Sequence, residues 1–150
     1  MKTAIIYASR HHGNTKKLLK AMAEKREITL ICAEGNELPD LSEFDRIGYA
    51  SGIDFGKFYD SVVQAAEKTM CAEKSVFFLC TCGSPSRDFS LPLQETAKKR
   101  GCKVLGSFSC KGYDTYGPWK LIGGINKTHP DEDDVARACT FYDELKKNES

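Results

Sequence analysis

The chain has 150 residues, 41% of them hydrophobic and 29% charged, with a formal net charge of +1 from 22 basic and 21 acidic side chains. This is the composition of a globular domain, and it excludes a disordered segment, a strongly basic nucleic-acid binder and a strongly acidic protein built to dock on basic partners. No apolar run approaches the roughly 20 residues that span a bilayer, and MKTAIIYAS is too short for a secretory apolar region, so membrane insertion is not expected.

Residues 3–8 open the chain as a predicted strand, and four further runs rich in β-branched and aromatic residues follow at 27–32, 46–51, 74–80 and 102–110. The first, third and fourth are almost continuously apolar (AIIYA, IGYA, VFFLC), as strands covered on both faces must be. Between them the spacing turns helical. Leu18, Leu19, Met22 and Ala23 share one face of a helix over about 14–25; Phe58, Val62, Ala65, Ala66 and Thr69 do so in the third connection, and Leu93, Ala97 and Arg100 in the fourth. The connection 33–45 holds Gly35, Pro39 and a short LSEF piece, and reads as a loop with at most one turn. A last helix is expected after Pro130, capped by Asp131, with Val135, Ala138, Cys139, Tyr142 and Leu145 inward.

Strand and helix alternating over the whole length predict one domain, 1–150, with a doubly wound α/β sheet of five parallel strands. Ligands of such sheets bind beyond the carboxyl ends of the strands, where the strand order reverses, so the loops after the strands carry the functional question. Seven cysteines, an odd number scattered through apolar segments, suit reduced thiols in the cytoplasm better than a disulfide framework.

Strand one runs directly into Ser9-Arg10-His11-His12-Gly13-Asn14-Thr15, and a helix begins inside that loop. Free backbone N–H groups of a first helical turn, at the positive end of the helix dipole, make an anion site. Gly13 permits a tight bend there, and Ser9, Asn14 and Thr15 offer short polar side chains to phosphate oxygens. Arg10, Lys16 and Lys17 either add a positive field or stand solvated. Other phosphate loops do not fit: there is no GxxxxGK[ST] and no GxGxxG, no cysteine nucleophile at Ala8 or Ser9, and no acidic phosphoacceptor where the third strand ends in Ala50-Ser51.

The strand TAIIYAS followed by GNT and a helix resembles the FMN-phosphate loop of flavodoxins, whose usual form is S/T-x-T-G-N-T; here Arg10 and His12 stand where hydroxyl residues are usual, with Ser9 one place earlier. Strand count, spacing and an uninterrupted fifth strand are similar to short-chain members across the whole chain. The resemblance implies a flavodoxin-like fold of strand order 2-1-3-4-5, FMN as cofactor, and an isoalloxazine ring held by the loops after strands three and four. After strand three come Ser51, Gly52, Ile53, Asp54, Phe55 and Gly56. By the resemblance, Gly52 or Gly56 belongs to a turn whose peptide changes its hydrogen bond to flavin N5 on reduction, and Phe55 either covers a ring face or is core. After strand four, the backbone of Thr81, Cys82 and Gly83 is implied at the pyrimidine edge. Cys80 and Cys82 form a CxC pair without a second ligand pair at metal-site spacing, expected as a small buried hydrophobe and a loop residue, with thiols on opposite sides of the strand should it extend that far.

The connection from Lys111 to Pro130 is long, glycine-rich and aromatic without helical period. Tyr113, Tyr116 or Trp119 either shield the flavin or receive a partner, or the loop packs on its own aromatics. No catalytic constellation is evident, and His11, His12 and His129 read as solvent-facing or phosphate-adjacent. With FMN supplying the chemistry, the resemblance implies an electron carrier working between redox protein partners or a small-molecule donor and acceptor. The alternatives are an FMN-dependent NAD(P)H or quinone reductase and a non-catalytic flavin-binding module.

Overall fold

A computed structural model describes residues 2–10, 12–35, 37–113 and 124–149. The elements in order are β1 (Thr3–Ala8), α1 (Asn14–Lys25), β2 (Thr29–Cys32), β3 (Arg46–Asp54), β4 (Lys57–Phe58), α2 (Asp60–Thr69), β5 (Ser75–Cys82), α3 (Leu91–Lys99), β6 (Lys103–Lys111) and α4 (Glu132–Glu144), followed by a 3₁₀ turn, Leu145–Asn148. The main strands lie in the order β2-β1-β3-β5-β6, all parallel, which is the 2-1-3-4-5 order with the short β4 left aside. β4 is a sixth, antiparallel strand that pairs only with the extension of β3, through Ile53–Phe58 and Asp54–Lys57. The expected end of the third strand at Ser51 is therefore corrected to Asp54.

Strand alternation sorts the apolar side chains into two layers. Ile6, Tyr49 and Phe78 pack under α2 and α3 with Val62, Ala66 and Leu93; Ile5, Phe77 and Leu79 pack under α1 and α4 with Leu18, Met22 and Ala138. The central strand has no room to spare at Gly48, where a β-carbon would lie 2.5 Å from the Phe77 ring. β2, on the edge, is partly exposed along its length. Helix α4 starts with a capping box in which Asp131 accepts from the Asp134 amide at 2.9 Å and Asp134 from the Asp131 amide at 2.8 Å. The connection from β2 to β3 contains turns and no helix among its described residues.

β1 has β2 on one side and β3 on the other, so the reversal of strand order falls there. The loops after β1, β3 and β5 consequently gather at one edge of the sheet.

Candidate functional site

The loop after β1 turns through two left-handed residues, His12 (φ 47) and Gly13 (φ 66), before α1 begins. Gly13 has no side chain with which to cap the helix, and Ser9 takes over: its Oγ accepts the Lys16 amide at 3.1 Å. The Lys17 amide bonds to the Gly13 carbonyl at 2.9 Å. The amides of Asn14 and Thr15, on the first turn, meet no acceptor among the described residues. These two donors, with Gly13 beside them, stand at the turn where the sequence leads one to expect an anion. Thr15 is buried and its hydroxyl pairs with that of Thr81 at 2.8 Å, joining the loop after β1 to β5.

One side chain of this loop is differently employed than expected. Asn14 does not point its amide at that turn; Nδ2 donates to the Tyr113 carbonyl at 2.8 Å and Oδ1 accepts the Tyr113 amide at 3.1 Å. Asn14 thus clasps the chain after β6, and the clasp is close: a β-carbon on Gly112 would lie 2.6 Å from Asn14 Nδ2. His12 stacks on the Tyr113 ring with centroids 3.9 Å apart. Arg10 pairs with Glu34 at 2.9 Å and lies 4.6 Å over the Tyr59 ring, so its charge is partly spent, while Lys16 and Lys17 are exposed. His11 lies outside the described residues.

The segment after β3 is a hairpin. Ser51 to Asp54 continue the strand, and Phe55 (φ 51) and Gly56 (φ 74) make the turn. Two consecutive positive φ values are what a two-residue hairpin turn with the strand's own twist requires, and glycine meets that demand at Gly56. Of the two glycines left open by the sequence, Gly56 is therefore the turn residue. Gly52 is a packing glycine in the strand, where a β-carbon would lie 2.5 Å from the Tyr59 hydroxyl. Ser51 is fully buried and accepts the Tyr59 amide at 2.9 Å, which closes the hairpin at its base. Phe55 is 93% exposed and so is not core.

β5 reaches Cys82, so Thr81 and Cys82 are strand residues and the loop starts at Gly83. The expectation of opposed thiols is corrected, because residues two apart on a strand share a face: Cys80 and Cys82 are hydrogen-bonded to each other. That bond holds the Cys80 thiol below its ordinary range against the effect of burial, assisted by the Ser109 hydroxyl 3.1 Å away. Cys82 is buried rather than a loop residue. Its carbonyl accepts the Gly112 amide at 2.9 Å, and the Gly83 carbonyl accepts Asn126 Nδ2 at 2.8 Å.

Three participants carry no local sequence signal. Tyr59 presses on Gly52 and lies under Arg10; Asn126 holds Gly83; Arg87 crosses the hairpin, 2.6 Å from where a Gly56 β-carbon would sit. Tyr116 and Trp119, considered as flavin shields, lie outside the described residues. Tyr113 is tied back by donating its amide to the His129 carbonyl at 3.2 Å. His129 in turn bonds Asp134, 2.6 Å from Nδ1. Burial pushes the Asp134 carboxyl up, but the bonds to His129 and Asp131 outweigh it and keep the group below the usual carboxylate range.

Residues 4–111 match the model of the flavodoxin domain family. An uncharacterized protein of Methanocaldococcus jannaschii is 40% identical, over 99% of this chain and 100% of its own length. Among solved structures, oxidised flavodoxin 1 from Bacillus cereus superposes with a TM-score of 0.68 at 18% identity, over 98% of each chain. A flavodoxin from the domain Archaea gives 0.62 at 15% identity, and a short-chain flavodoxin associated with a non-canonical PDU bacterial microcompartment gives 0.69 at 13%, both over 100% of each chain. At such identities the superpositions establish the fold.

Proposed function

The chain belongs to the flavodoxin domain family, and from that premise we propose that it holds FMN at the carboxyl edge of its sheet and serves as an electron carrier. The observation that carries this reading is the start of α1: two amides without acceptors among the described residues, beside a left-handed glycine, at the reversal of strand order. A phosphate dianion is the ligand such a turn suits, through charge-assisted hydrogen bonds and the helix dipole.

The residues present suit the phosphate end of the cofactor. The amides of Asn14 and Thr15 would hold the phosphate, with the Ser9 hydroxyl still free to donate its hydrogen while accepting from Lys16. The Thr15–Thr81 hydroxyl pair fixes the cradle relative to β5, and the Asn14 clasp fixes it relative to Tyr113. The turn at Phe55–Gly56 and the backbone at Cys82 and Gly83 would flank the ring. When bound, FMN supplies the redox chemistry, and the protein's part is to orient it and tune it by hydrogen bonds and local charge. Asn14, Thr15, Ser51 and Tyr59 therefore act as positioning residues.

A net charge of +1 gives no long-range attraction to basic partners, so docking of a redox protein or small-molecule donor would rest on contact near the exposed Phe55. The seven cysteines form no disulfide, the state that a reducing cytoplasm would keep.

The test is the visible spectrum of freshly purified protein, followed by titration with FMN and riboflavin. The dipole contributes up to about 2 kcal/mol and each charged hydrogen bond about 1.5–3 kcal/mol, so FMN should bind at least about 100-fold more tightly. Equal affinities would remove the phosphate cradle from the assignment. Rapid direct oxidation of NAD(P)H by the loaded protein would move the assignment from carrier to reductase.

A further inference from the structure

Outside the cradle, the structure contains a crevice of about 680 Å³ between α2 and α3, next to the hairpin. Phe58 of β4 and Val63 of α2 line it together with Phe89 and, from α3, Leu91, Pro92 and Leu93. The volume lies in the range of small-molecule pockets, roughly 300–1,000 Å³, and so does the character of the walls, apolar with few polar groups.

The polar groups are unevenly placed. Arg87 stands at the hairpin end with its guanidinium 4.8 Å from the centre of the Phe89 ring, and among the described residues it has neither a carboxylate partner nor a hydrogen-bond acceptor. Lys57, exposed, lies on the same rim. The neighbouring Asp88 makes no ion pair with either. Its carboxylate accepts from Ser90 at 2.6 Å, Ser107 at 2.6 Å and Gln94 at 3.0 Å, which turns it toward β6. Of the other acids on the rim, Asp60 occupies the first turn of α2, where the helix dipole offsets its charge, and Glu67 lies two turns further along the helix. Lys57 and Arg87 thus stand at the hairpin end without an ion pair among the described residues, and Arg87 is pre-oriented on an aromatic face.

The apolar surface points to the same place. The large hydrophobic side chains left exposed among the described residues are Phe55, at 93%, and Leu91, at 54%. Leu91 lines the crevice, and Phe55 precedes Gly56, which also lines it. Single exposed hydrophobic residues are ordinary, but two flanking one concavity mark a surface that a ligand would cover.

We propose that this crevice binds a small organic anion, with a flat apolar ring system between Phe58, Val63 and Leu93 and a carboxylate paired with the Arg87 guanidinium. A fork of guanidinium donors matches a carboxylate in two parallel hydrogen bonds, and the Phe89 ring holds the fork in place at little entropic cost. The binding claim does not depend on FMN occupying the cradle.

The experiment is calorimetric titration of the protein as isolated with 2-naphthoate and its neutral counterpart 2-naphthamide. Naphthoate should bind at least tenfold more tightly. Arg87→Gln, a change on the surface, should bring the two within twofold without altering naphthamide binding. Val63→Trp should fill the crevice and abolish both. Should that variant fail to fold, Leu91→Glu sets a negative charge on the rim and should weaken naphthoate at least fivefold. Equal affinities for the two probes, a preference that survives Arg87→Gln, or no binding of either at millimolar concentration would overturn the proposal; the last result would leave the surface to a protein partner. The ratio of FMN to riboflavin affinity should be unchanged in Leu91→Glu, whose side chain lies outside the flavin site. Displacement of flavin by naphthoate would place the probe in the cradle and also overturn the proposal, so the two readings fail separately.

Discussion

The Thr15–Thr81 hydroxyl pair offers a quantitative test of how the cradle is held. The two oxygens lie 2.8 Å apart, Thr15 is 2% and Thr81 3% exposed, and water has little access to either. Thr15→Val keeps the shape and removes one hydroxyl, which strands the other in an apolar setting at a cost of about 1–3 kcal/mol. In a domain of this length each kcal/mol moves the melting midpoint by about 2–4 °C, so a loss of about 2–12 °C is expected. Thr81→Val should cost a similar amount. The double variant should cost much less than the sum, since no hydroxyl remains to be left without a partner. Urea unfolding of all four proteins, followed by circular dichroism, gives the coupling free energy directly. Additive losses would refute the pair as a coupled buried unit, and with it the argument that β5 positions the first turn of α1.

Gly52→Ala should destabilise by about 1–3 kcal/mol in the same assay, because the new methyl would meet the Tyr59 hydroxyl at 2.5 Å in a ring already covered by Arg10. Asn14→Ala breaks both bonds to the Tyr113 backbone and should cost about 1–3 kcal/mol, with faster hydrogen exchange at the Tyr113 amide as its specific sign. A thiol reagent at pH 8 should modify Cys32 and Cys71 promptly in the native protein, with Cys110, whose thiol burial pushes up to about 12, the slowest there, and all seven cysteines after denaturation. Asp88 and Asp134 are both held below the ordinary carboxylate range: burial opposes this, and hydrogen bonds from Ser107 and Ser90, and from His129 and Asp131, prevail. A depressed carboxyl stabilises the fold fully above its unfolded value and loses that contribution as pH falls through the folded one. Unfolding free energy should therefore change little from pH 7 to 5 and drop below about pH 4, with a shallower acid limb in Asp88→Asn.

The parts of this protein that local chemistry decides were readable in the residues alone. Continuous apolar runs marked the central strands, helical spacing marked α1 and α2, and Asp131 before an acidic turn marked the start of α4, because each depends on neighbours within one or two turns of chain. The open amides at the start of α1 belong to this class too, since a first helical turn exposes them whatever surrounds it. Side-chain assignments at the site do not. Asn14 and Tyr113 are 99 residues apart, and Thr15 and Thr81 are 66 apart. No periodicity announces that an asparagine beside a glycine will clasp a distant backbone instead of a phosphate. The role of Gly56 rather than Gly52 likewise required the pairing of β3 with β4, which places one glycine in a turn and the other against Tyr59. Local pattern determined which elements form and where amides stand free, while packing between strands decided what each polar side chain touches, because those contacts are made only when chain ends far apart in sequence are brought together by the sheet.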